Sequence, residues 1–125
     1  MPKITTFLMF EGQAEEAMKL YTAVFEDSKV VNLVRNEDGS MMQAVVYLNG
    51  QPFMFSNSSV KHEFTFTPSI SLFVTCHSEA EIDAVYDRLL EGGHALMPLS
   101  NYGFSQKFGW LNDRFGVSWQ LNLPE

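Results

Sequence analysis

Cys76 and His77 are the residues that first suggest chemistry, because a thiol beside an imidazole resembles a nucleophile and its base. At the end of a strand, however, adjacent side chains point to opposite faces, so adjacency argues against contact. A lone cysteine more often serves as a small buried hydrophobe, and with one cysteine no intrachain disulfide forms. The three histidines, His62, His77 and His94, fall in a polar stretch, at a helix entrance and just after a helix. They are not spaced as a metal-binding cluster. Tyr102, in Asn101-Tyr102-Gly103, offers a ring that can stack and a hydroxyl that can donate. Asp113 and Arg114 sit in Asn112-Asp113-Arg114-Phe115-Gly116, where Asp-x-x-Gly is explained by turn chemistry. Phe7, Phe55, Phe73, Trp110 and Trp119 lie on strand-like segments, able either to wall an apolar pocket or to fill a core.

The elements that must position these residues follow from hydrophobic period. Ile4 to Phe10 reads as a strand, broken by Gly12-Gln13. Ala14, Ala17, Met18, Tyr21, Val24 and Phe25 recur at helical spacing, and Asp27-Ser28 closes that helix. Strands are predicted over Lys29 to Arg35, Met42 to Leu48 and Gln51 to Ser56, with Asn49-Gly50 a hairpin signal between the last two. Residues 57–68 are mostly polar and read as a linker. Ser69 to Thr75 alternates with period two. Ser78-Glu79-Ala80-Glu81 is a capping box, in which Ser78 accepts from an early N–H and Glu81 reaches back. Ile82, Val85, Tyr86, Leu89 and Leu90 form the second helical stripe, ended by Gly92-Gly93. Strands near His94 to Leu99, Gln106 to Leu111 and Val117 to Leu123 complete the order.

The order therefore occurs twice. At an offset of 65 positions Gln13 falls on Ser78, Glu16 on Glu81, Tyr21 on Tyr86, and Val24-Phe25 on Leu89-Leu90. Two copies are too few for a solenoid. The expected fold is α+β, a single domain of residues 1–125 with module 1 at about 3–56 and module 2 at about 69–123. The two βαβββ modules are expected to form curved mixed sheets around a cavity.

Composition bounds the partners. The 125 residues fit one domain, and 46% hydrophobic content is enough for a core. Fifteen acidic against eight basic residues give a net charge of −7, with no basic run, which argues against nucleic acid and anionic membrane surfaces. No run approaches the ~20 apolar residues needed to span a bilayer. The opening Met-Pro-Lys-Ile-Thr-Thr lacks an apolar segment followed by a small-residue cleavage site, so a cytoplasmic location is expected.

Paired βαβββ modules resemble the vicinal-oxygen-chelate superfamily, which includes glyoxalase I, extradiol dioxygenases and the bleomycin- and fosfomycin-resistance proteins. Within it, several segments resemble the PhnB-like branch, also labelled 3-demethylubiquinone-9 3-methyltransferase. They are Phe10-Glu11-Gly12-Gln13-Ala14-Glu15-Glu16-Ala17 with Tyr21 and Val24-Phe25, then Ser71-Leu72-Phe73-Val74-Thr75-Cys76, Tyr102-Gly103, and Phe108 through Leu121. The resemblance implies a homodimer in which modules of two chains complete each cavity. In the metal-using members of this superfamily the ligands come from one position on the first and one on the last strand of each module. Carried onto this chain those positions are Thr6 and Ser71, seven residues before Gln13 and Ser78, and Ser56 and Gln120, offset by 64. Hydroxyls and an amide are weak donors for a divalent ion, so no metal and no cofactor are expected. The same four side chains suit hydrogen bonding to a small polar ligand, with Trp110 as a wall and Tyr102 in a loop over the cavity mouth. The helix entrances, Glu11-Gly12-Gln13 and Cys76-His77-Ser78, lack a Gly-x-Gly pattern for S-adenosylmethionine. A metal-free small-molecule-binding protein is therefore expected. The alternatives are a metal-dependent enzyme of lyase, dioxygenase or transferase type, the methyltransferase of the family label, or a scaffold whose cavity is filled by its own aromatics.

Overall fold

Leu8 and Phe10 are buried, while Phe7 before them is exposed and Met9 between them is partly so, the period-two signature of a strand with one covered side. A computed structural model describes residues 2–125, and in it this strand is β1 (Thr6–Phe10). It is followed by α1 (Ala14–Val24), β2 (Lys29–Arg35), β3 (Met41–Leu48) and β4 (Gln51–Asn57). The second set is β5 (Leu72–Thr75), α2 (Glu79–Leu90), β6 (His94–Ser100), β7 (Lys107–Asn112) and β8 (Ser118–Leu123). The chain divides into two units, one ending at Glu63 and one running Phe64–Glu125.

Each unit holds a four-stranded mixed sheet of the same topology, β1-β4-β3-β2 in the first and β5-β8-β7-β6 in the second. The first strand pairs parallel with the last, and the other pairs are antiparallel. The fold is α+β, and the duplicated βαβββ order expected from the sequence is present.

The Asn49-Gly50 hairpin forms as the sequence predicts, with φ of 51° and 81° at its two central residues. These left-handed values match the twist of the flanking strands. The second strand set differs at its entrance. Thr67 to Ile70 is a turn closed by Ile70 N–H donating to Thr67 O at 3.2 Å, so β5 starts at Leu72 rather than Ser69 and Ile70 is exposed. β1 likewise starts at Thr6 rather than Ile4. Asn57 belongs to β4 rather than to a linker.

The helices cover one face of each sheet. In the first unit Phe10 stacks on Phe55 at 5.6 Å and Tyr21 meets Phe55 edge-on at 5.9 Å, all three buried. In the second, Ile82 and Leu89 of α2 are fully buried with Leu111 and Leu121 of the sheet, each such side chain contributing ~2 kcal/mol. Gly109 permits this approach, since a Cβ there would lie 2.8 Å from Tyr86 Cε2.

The helix entrances are closed differently. Ser78 Oγ accepts from Glu81 N–H at 3.1 Å, as the capping box predicts. Glu81 reaches one residue further back than expected, accepting from His77 N–H at 2.7 Å. Gln13 provides no side-chain cap to α1. Asn57 does so from β4, its Oδ1 accepting from Gly12 N–H at 3.1 Å and Ala14 N–H at 2.9 Å, while Nδ2 donates to Met41 O.

Candidate functional site

Cross-strand partners point to the same side of a sheet, so the pairing register sorts each side chain onto the helix-covered face or the opposite one. In the first sheet Leu8 pairs with Phe55 and Thr6 with Phe53, which places Thr6 on the helix-covered side. Ser56 pairs with Met9 and Gln43 on the other side, where its hydroxyl donates to Met42 O at 3.4 Å. Thr6 and Ser56 therefore do not converge. In the second sheet Trp119 and Leu121 face α2, and Gln120 between them faces away. The offset of 64 thus keeps Ser56 and Gln120 on equivalent faces, whereas the offset of 65 maps Thr6 onto the opposite face from Ser71. A one-residue slip reverses every side chain of a strand.

Ser71, Gln120 and Trp110 are brought together on the open face of the second sheet. Trp110 Nε1–H donates to Ser118 Oγ at 2.9 Å, Ser118 and Ser71 hydroxyls bond at 2.6 Å, and Gln120 Nε2–H donates to Ser71 Oγ at 3.2 Å. Ser71 O–H donates onward to Pro68 O at 3.5 Å, so Ser118 is the donor to Ser71 and the chain of bonds runs one way. Ser118, buried at 2% exposure, joins the network and was missed as a site residue. The strict polar–apolar alternation of Ser118-Trp119-Gln120-Leu121-Asn122-Leu123 is the signal that assigns Ser118, Gln120 and Asn122 to one face.

Register extends this face into three rows. The upper row is His94, Asn112 and Ser118, with Ser71 beside it. The central row is Met97, Trp110, Gln120 and Phe73. The lower row is Ser100, Phe108, Asn122 and Thr75. Asn112 Oδ1 and Asn122 Oδ1 are shut from solvent with no hydrogen-bond partner. Each such orphaned group costs ~1–3 kcal/mol. Tyr102 and Phe104 extend the lower row. Tyr102 meets Phe108 edge-on at 6.3 Å, Phe104 meets it at 5.1 Å, and Tyr102 O–H donates to Pro98 O.

Other expected wall residues divide. Phe73 and Phe7 are exposed on the faces away from the helices, at 59% and 52%. Phe55 and Trp119 are core. Asp113 is buried as a structural acceptor, Oδ1 taking Phe115 N–H at 2.9 Å and Val117 N–H at 3.0 Å, and Oδ2 taking Trp119 Nε1–H at 2.9 Å. Cys76 is fully buried, and its thiol is pushed up to about 11, first by burial and then by the Glu81 carboxylate. Such a group is a thiol at neutral pH and a poor nucleophile.

The donor set does not fit a divalent ion. Ser71 and Gln120 are neutral and bonded to each other, Thr6 lies on the wrong face, and among the described residues no three His, Cys, Asp or Glu side chains form a ligand cluster. Neither helix entrance has the form that cradles a nucleotide-type cofactor, since Asn57 and the Ser78–Glu81 pair already occupy the leading N–H groups. No helix among the described residues is long and apolar enough to cross a membrane.

Among solved structures, the chain is similar to a Bacillus cereus PhnB protein that also carries the name 3-demethylubiquinone-9 3-methyltransferase. The two share 55% identity over 98% of this chain and 99% of that one, with a TM-score of 0.95. The fold also matches a glyoxylase/bleomycin resistance protein/dioxygenase domain from Frankia sp., at 15% identity, TM-score 0.71, and coverage of 100% and 93%. A fosfomycin resistance protein, FosX, from Listeria monocytogenes, complexed with Mn(II) and 1S,2S-dihydroxypropylphosphonic acid, shares the fold at 10% identity, TM-score 0.65, and coverage of 98% and 93%. No curated protein matches. The model of the 3-demethylubiquinone-9 3-methyltransferase family matches residues 2–122, and the chain belongs to this PhnB-like family of the vicinal-oxygen-chelate fold.

Proposed function

We propose that this chain is a small-molecule-binding protein that works without a resident divalent metal, in the cytoplasm and as a homodimer. Its binding surface is the open face of the second sheet. Ser71, Gln120 and Trp110 form the centre of that surface, and Tyr102 stands at its lower edge. The observation that carries this reading is the Trp110–Ser118–Ser71–Gln120 network beside the exposed Phe73 ring, which sets amide and hydroxyl groups next to apolar surface on the face away from α2. Apolar walls with a few placed polar groups are the general form of a small-molecule site. The methyltransferase name describes the family and is supported by no cofactor cradle at either helix entrance.

The test uses N-phenyl-1-naphthylamine, an uncharged dye with one N–H donor whose emission rises in apolar sites. Saturable binding is expected, weakened at least tenfold by Trp110→Ala and unchanged by Thr6→Ala. Protein purified without chelator should contain less than 0.1 equivalent of Fe, Mn, Ni or Zn, by analogy with weak neutral donor sites. Stoichiometric metal, or dye binding indifferent to Trp110→Ala, would overturn the reading.

A further inference from the structure

The Ser71 network also fixes which way the Gln120 amide faces, and with it the kind of group a ligand brings, an inference that rests on the binding reading above. We propose that Gln120 is the specificity-determining residue of the open face. Its Oε1 selects flat heteroaromatic molecules that carry an N–H on one edge.

Proton accounting sets the direction of the amide. The Ser71 hydroxyl spends its proton on Pro68 O at 3.5 Å, so toward Ser118 and Gln120 it can only accept. One lone pair of Ser71 Oγ takes the Ser118 proton at 2.6 Å, and the other takes an N–H of Gln120 Nε2 at 3.2 Å. Ser71 is then saturated. With Nε2 held to Ser71, the carbonyl end of the Gln120 amide is turned away from the network.

Exposure separates this oxygen from the other amide oxygens of the face. Asn112 Oδ1 and Asn122 Oδ1 are shut from solvent, beyond the reach of a ligand. Gln120 is half-buried, its Oε1 is not closed off in this way, and among the described residues no group donates to it. A ligand covering the face strips water from that oxygen, so one without a donor leaves a desolvated acceptor behind.

The neighbours set the shape. Gln120 stands between its cross-strand partners Trp110 and Phe73, each ~4.8 Å to one side. Phe73 is exposed, and Trp110 has already given its N–H to Ser118. Both rings therefore offer flat apolar contact, and a ring system lying on either brings its edge to Gln120. His94, in the upper row on β6, is the one titratable side chain of the three rows and lies two strands from Gln120. It keeps an N–H in either protonation state, so an acidic or carbonyl substituent has its partner there and the N–H edge has its partner at Gln120.

Competition against N-phenyl-1-naphthylamine on the whole protein, with indole and 1-benzofuran as competitors, isolates the N–H. The two share one shape, and 1-benzofuran is the more apolar, so burial alone favours it. Indole is expected to displace the dye at about fivefold lower concentration. In Gln120→Met, which keeps the length and loses the acceptor, that preference is expected to vanish or reverse. Ser71→Ala frees the amide to turn and should bring the ratio toward one, while Ser71→Thr, which keeps the hydroxyl, restores it. Bound dye displaced equally by both competitors would overturn the proposal and leave the binding reading standing, as would an indole preference that survives Gln120→Met. If Gln120→Met does not fold, the Ser71→Ala ratio decides, an unchanged ratio overturning the proposal. Folded protein that binds no dye would overturn the proposal together with the reading beneath it.

Discussion

Cys76 illustrates how placement decides chemistry. The residue beside it is an imidazole, yet the thiol is buried beneath the helix and raised to about 11, so it contributes packing rather than nucleophilicity. The raised value has a defined consequence for stability. Below pH ~9 the thiol is protonated in both folded and unfolded chains, and its contribution is flat. Between about 9 and about 11 the unfolded chain releases the proton while the folded chain keeps it, so stability is lost across that window. The loss is ~3 kcal/mol for a shift of ~2 units. Urea unfolding at pH 8 and pH 11 should show this loss in the parent and its absence in Cys76→Ala, and equal pH dependence in both would contradict it. The sequence made the thiol's inertness legible, because adjacency along a strand argues against a dyad. It did not reveal that Ser71 and Gln120 would bond to each other, since that contact depends on the pairing of β5 with β8 across 49 positions of sequence.

At the level of elements, helices and strands did not obey one offset. The 65-residue spacing aligns the helices, whose stripes and tyrosines agree. It fails for the first strands because Leu8 and Phe10 face α1 in one unit, whereas Leu72, Val74 and Cys76 occupy the helix side in the other. The two strand-to-helix connections are equally long, but only the first contains a left-handed residue, Gly12 at φ 100°. Periodicity reports that a strand alternates; it does not report which parity meets the helix, so Thr6 was legible as a strand residue and not as a helix-side one. The caps diverge in the same way. Ser78 closes α2 locally, while α1 depends on Asn57, which is 43 positions from Ala14 in sequence. Asn57→Ala removes two accepted N–H groups and a donor to Met41, so it should cost ~2 kcal/mol, against ~1 kcal/mol for Ser78→Ala. Chemical denaturation of the two variants checks the order, and an equal or smaller loss for Asn57→Ala would contradict it.

For the molecule as a whole, the proposed association rests on two sheet edges, β2 and β6. β2 is exposed along its entire length and presents Val30, Val31, Leu33 and Val34 with charges only at its ends, Lys29 and Arg35. Arg35 is further occupied by Glu15, with which it forms a two-point ion pair at 2.6 and 3.1 Å. The corresponding strand β6 is exposed too, but Pro98 interrupts its donors, a common guard against edge pairing. An apolar edge without proline or an internal charge invites a second copy, while the net charge of −7 opposes indiscriminate aggregation. The proposed homodimer is therefore expected to pair through β2 rather than β6. Light scattering of the parent should give twice the 14.2 kDa chain mass, and the Val31→Lys/Val34→Lys variant should give a single chain mass with unchanged circular dichroism. A parent that runs as a monomer would overturn the dimer itself. A variant that remains dimeric would place the interface elsewhere on the chain.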